Sequence, residues 1–165
     1  MSESEDNPLP DWIAKRRQEK AEQERKDKED QKKELAAAAQ VQTGGPEFWK
    51  QLLDRLTLNV NSLPALIGDE LVGNASRSTD GPELSCYIQV NRQSVKHGPA
   101  LSQMNLWYKP GGYRIRRWYQ NREMKDIILQ AGSKGVSAVI DGSEPMTAVE
   151  LGDNIVRNMV FQVRA

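Results

Sequence analysis

The run at residues 104–118, MNLWYKPGGYRIRRW, reads as a β-hairpin. Pro110 followed by Gly111 suits the two central positions of a type II turn, the second of which needs a positive φ. A loop of Lys109, Pro110, Gly111 and Gly112 sets Tyr108 opposite Tyr113, Trp107 opposite Arg114, Leu106 opposite Ile115 and Asn105 opposite Arg116. Side chains alternate across a strand, so one face takes Met104, Leu106, Tyr108, Tyr113 and Ile115. That is the core side, with Arg117 further along it at the rim. The other face presents Trp107, Arg114, Arg116 and Trp118, with Trp107 and Arg114 as cross-strand cation–π neighbours.

Upstream, Leu84, Cys86, Ile88 and Val90 alternate with Ser85, Tyr87 and Gln89, which marks a strand with one buried face. Cys86 lies on the apolar side and reads as a small buried hydrophobe. Residues 71–76 read as an edge strand before the turn around Asp80, Gly81 and Pro82. Residues 91–99 read as a polar loop holding Arg92, Lys96 and His97. Downstream, residues 124–130 form a strand that is apolar on both sides at Ile127, Ile128 and Leu129, and Val136, Ala138 and Ile140 mark another. Thr147 and Glu150 have capping-box spacing. They open a closing helix whose stripe is Val149, Ile155, Val156, Met159, Val160 and Val163.

Ahead of the strands, Phe48, Trp49, Leu52, Leu53, Leu56, Val60 and Leu63 recur at spacings of three and four, the stripe of an amphipathic helix. Pro46 suits its first turn and Pro64 its end. Residues 15–34 are different: sixteen of the twenty are charged, nine basic and seven acidic. Apolar a and d positions are missing, so this is a single charged helix rather than a coiled-coil seam. Lysine–glutamate pairs such as Lys15–Glu19 and Glu29–Lys33 support it by about 0.2–0.5 kcal/mol each. Trp12 and Ile13 at its start are a candidate docking tip, and Gly44, Gly45 and Pro46 are expected to end it.

The expected class is therefore α+β: a long solvated charged helix, an amphipathic helix, an antiparallel meander of 4–6 strands and a C-terminal amphipathic helix on one sheet face. The expected organisation is residues 1–10 disordered, 11–45 a charged arm and 46–165 the α+β domain.

The formal net charge of zero hides a pattern. Residues 84–125 hold eight Lys and Arg against Glu123 alone. A single cysteine forms no intramolecular disulfide, and the acidic start is not a secretory signal, so a soluble cytoplasmic protein is expected, without a membrane partner. One His and one Cys leave no ligand set for a structural zinc site, and no phosphate-binding loop or dinucleotide fingerprint occurs. No metal or cofactor is expected. Cys86 and His97 have no local partner that marks a nucleophile, and the carboxylates lack a paired arrangement, so no catalytic residue is named.

Trp107, Arg114, Arg116 and Trp118 remain as the candidate binding surface. The reading is a non-catalytic interaction or adaptor protein that uses this face and the charged arm to meet a protein partner. The alternative is nucleic-acid binding through the basic segment, with Arg92, Lys96, Lys109 and Arg122 as further cations. A third alternative, an enzyme, has no type that these residues define.

Overall fold

The alternating runs become six antiparallel strands in sequence order: β1 Leu71–Ser78, β2 Leu84–Ser94, β3 Gly98–Tyr108, β4 Arg114–Tyr119, β5 Arg122–Gly132 and β6 Gly135–Ile140. The computed structural model describes residues 10–66, 71–94 and 98–164, with backbone alone at 64–66, 94 and 164. Helix α1, Asp11–Leu66, precedes the sheet and helix α2, Ala148–Arg164, follows it. The chain divides into two compact units, Met1–Ala36 and Ala37–Ala165.

In the first unit α1 is exposed at every described position except half-buried Ile13, and Trp12 is 68 % exposed. Its ion pairs, among the described residues, run from Arg25 to Glu22 (3.9 Å) and Glu29 (3.8 Å), not between the lysines and glutamates expected. Such exposed pairs gain little over hydration, so no one pairing dominates.

In the second unit the meander buries one face. Cys86, Ile88, Val90, Leu106, Tyr108, Ile115, Ile127 and Ala138 point into it, with Leu52, Leu56, Leu151 and Met159 supplied by the helices. Phe48 and Trp49 are buried in this core, and the Trp49 ring stacks on Tyr108 at 5.4 Å. Edge strand β1 is present as expected.

The helix does not end at residues 44–46. Two glycines and a proline there cost several kcal/mol of intrinsic helix stability. Packing overrides them, because Val41 before and Phe48 and Trp49 after are all buried in the same core. Gly44 and Gly45 are notches: a Cβ at 44 would stand 2.7 Å from Val136 Cγ2, and one at 45 would meet the Tyr108 hydroxyl. Pro64 likewise does not stop α1, which runs on to Leu66. The two expected helices are therefore one.

Three further expectations are corrected. Arg92 lies on β2, since β2 and β3 run further than the expected loop; Lys96 and His97 lie outside the described residues. Ile128 is exposed, because β5 has only one covered face. Val149 is also exposed, and Ala148 and Leu151 take its place in the α2 stripe.

The capping box forms. The Thr147 hydroxyl accepts the Glu150 N–H at 3.1 Å and donates to Glu150 Oε1 at 3.2 Å. Replacing Thr147 with alanine is expected to cost about 1 kcal/mol, read as a lower midpoint in urea unfolding. One turn on, α2 meets α1 at Gly152, where a Cβ would stand 2.9 Å from Arg55 Cγ. Asp153 accepts from Arg55 Nε (2.7 Å), Arg55 Nη2 (3.1 Å) and Asn59 Nδ2 (2.8 Å). The Arg55 and Asn59 hydrogen bonds hold the Asp153 carboxyl below the usual carboxylate range.

Candidate interaction face

The type II turn forms as the sequence indicates: Gly112 N–H donates to Lys109 O at 2.8 Å and Gly111 has φ 86°. The register differs. Tyr108 pairs with Ile115, Trp107 with Arg116, Leu106 with Arg117 and Asn105 with Trp118. A type II turn does not match the twist of hairpin strands, so the strands close further from it. Tyr113 O accepts from Leu129 N at 2.7 Å, which ties that residue to β5 instead of β3. The slip is two residues, and a slip of two preserves facing. Trp107, Arg114, Arg116 and Trp118 therefore still share the open side of the sheet.

On that face the Trp107 and Trp118 rings meet edge to face, with centroids 6.3 Å apart and planes at 83°. Arg116, not Arg114, lies over Trp107, at 5.5 Å from its centroid. Arg114 lies over Tyr113 at 4.9 Å and donates to its hydroxyl at 2.6 Å. Tyr113 was expected in the core and is instead 53 % exposed, because the longer loop frees it from the hairpin.

Each arginine also has a carboxylate. Arg116 donates to Glu83 at 2.5 Å and Arg114 to Asp126 at 3.4 Å. Sequence reasoning missed both acids, since Glu83 precedes β2 and Asp126 sits beside a bulge in the β4–β5 pairing. Beside the aromatics, Tyr87 donates to Gln89 (3.3 Å) and Gln89 to Asn91 (3.1 Å) along β2. The face is therefore aromatic in the middle, rich in amides on the β2 side, and locally neutralised.

The other cations are not gathered onto it. Lys109 lies at one end of β4, at the β3–β4 turn, and Arg122 at the other end, paired with Tyr119. Arg92 Nε donates to Gly98 O at 3.3 Å, and Lys125 pairs with Asp141 at 2.7 Å. Arg117 does not reach the rim but is 9 % exposed on the covered side. Burial pushes the Cys86 thiol up to about 11, so it is protonated at neutral pH. Among the described residues no cluster of acidic, His or Cys side chains has the arrangement of a metal site, and no helix is long and apolar enough to cross a membrane. No family model matches the chain, and no curated protein or solved structure is detectably similar to it.

Proposed function

We propose that the chain is a non-catalytic interaction protein whose open sheet face docks a protein partner. The observation that carries this reading is the Trp107–Trp118 pair with Arg116 stacked on it, uncovered on a sheet whose other face is packed with helix. Trp, Tyr and Arg are the side chains that concentrate binding energy at protein interfaces. The partner surface that fits is apolar at its centre, to cover the two indoles, and offers backbone or side-chain amides to Gln89, Asn91 and Asn105.

Nucleic acid fits this face less well. Phosphate binding draws its energy from cations that release counterions. Arg114 and Arg116 already have Asp126 and Glu83, and the remaining described cations lie at scattered places. A fluorescent single-stranded oligonucleotide is thus expected to show no binding below the high-micromolar range at low salt. A salt-steep affinity that Arg114→Glu with Arg116→Glu abolishes would replace the protein-docking reading.

The direct test is a cross-linked pull-down from the source cells. One specific partner is expected with the wild-type chain, and Trp118→Ala is expected to lose it while the thermal unfolding midpoint changes little, because Trp118 is 37 % exposed. Truncating such an anchor typically costs about 2 kcal/mol or more of binding. Retention of the partner by both Trp118→Ala and Trp107→Ala would remove this face from the function.

A further inference from the structure

Arg117 is the one buried charged side chain among the described residues, and its surroundings do not account for it. It points to the covered side of β4. Its Nε donates to Lys125 O at 2.8 Å, across the bulge in the β4–β5 pairing. A guanidinium has five N–H donors. The four on Nη1 and Nη2 have no acceptor among the described residues. The acid that influences the group, Asp126, is hydrogen-bonded by Arg114 instead. Burial pushes the Arg117 pKa below the ordinary arginine value. A buried cation whose neighbouring acid is already engaged is costly to a fold.

The side chain borders a cavity of about 230 Å³ between the sheet and the C-terminal half of α2. Half of its lining is apolar, from Met104, Met124, Ile155, Met159 and Phe161, with the Tyr119 ring beside them. Two of these, Met124 and Phe161, are exposed and give the cavity a mouth; Phe161 is 68 % exposed. Asn154 and Asn158, hydrogen-bonded to each other at 3.2 Å, and Gln162 are the neutral polar part of the lining on the α2 side.

We propose that this cavity binds a small organic carboxylate with an apolar body, its carboxylate held by the Nη fork of Arg117 and its body by the methionine, isoleucine and phenylalanine walls. Arginine matches a carboxylate with two parallel hydrogen bonds. Methionine walls adapt to an unbranched or aromatic tail. The volume corresponds to roughly eight water molecules, which fits a ligand of about eight to ten non-hydrogen atoms. A phosphate is the poorer match: one cation with amide and thioether neighbours leaves a dianion half compensated and buries no apolar surface. This site is separate from the open face, so neither proposal depends on the other.

The test is a titration of the ¹⁵N-labelled full chain with hexanoate and octanoate, with octan-1-ol and inorganic phosphate as controls. The acids are expected to bind saturably, one per chain, with shifts confined to β3, β4, β5 and α2, while the controls produce none of these. Arg117→Met is expected to weaken octanoate at least about tenfold. Asn158→Asp, an exposed site where the fold tolerates the change, is expected to do the same by placing a negative charge at the cavity. No saturable binding of either acid, equal binding of octan-1-ol or phosphate, or acid binding that both variants leave unchanged would overturn the proposal.

Discussion

Gly45→Ala is expected to destabilise the second unit by about 2 kcal/mol, and Tyr108→Phe is expected to restore most of that loss. The sign is the informative part. Within a helix, alanine is favoured over glycine by about 1 kcal/mol, so a glycine that served only as a flexible joint would be stabilised by the change. Here a Cβ at position 45 runs into the hydroxyl of Tyr108, a side chain fully buried and stacked on Trp49. Neither ring can retreat, because both are locked in the same core. The phenol carbon Cζ would stand 3.4 Å from that Cβ, an ordinary contact, so removal of the oxygen alone relieves the collision. The oxygen is also of little use to the fold. It has no hydrogen-bond partner among the described residues. Burial pushes its pKa up; the Gly111 backbone pulls the other way without reaching hydrogen-bond geometry. Tyr108→Phe by itself is therefore expected to be neutral or stabilising. Four proteins in a urea double-mutant cycle decide the matter: a coupling of about 1–2 kcal/mol is expected, and simple additivity would show that Gly45 is not a packing notch.

That notch also shows where sequence reasoning gives out. Strand alternation is a local property, and from Leu84 to Val90 and again around Leu106 and Ile115 it identified the buried side correctly. The stripe from Phe48 to Leu63 was equally legible. The meaning of Gly44, Gly45 and Pro46 was not, because their local preference is for a break and the forces that override it come from Tyr108 and Val136, sixty or more residues away. The turn at Gln120 and Asn121 was invisible for a related reason. Both have positive φ, 52° and 63°, in a tight hairpin that glycine usually marks. At the candidate face, parity survived an error in register, so the four side chains were placed together correctly. Their electrostatic state was not readable, since Glu83 and Asp126 reach Arg116 and Arg114 through strand pairings and a bulge that no residue spacing announces.

Arg117→Met is expected to raise stability by about 1–3 kcal/mol, the opposite of what loss of a buried side chain usually does. Methionine fills nearly the same length and is at home among Met104, Met124 and Met159. The change removes a largely buried cation whose one influencing acid, Asp126, is engaged by Arg114, and the single hydrogen bond lost, to Lys125 O, frees a carbonyl on an exposed residue that water can satisfy. If instead Arg117 is there to staple the β4–β5 bulge, the bulge loosens and the midpoint falls. The two roles thus give opposite signs in one guanidinium unfolding curve, before any ligand is added. A positive sign has a further consequence. A side chain that the empty fold is better off without has to be maintained by something other than folding, and an anion in the adjoining cavity would convert the penalty into binding energy. Octanoate at saturating concentration is then expected to raise the midpoint of the wild-type chain and leave that of Arg117→Met where it is, since a ligand stabilises only the native state that binds it.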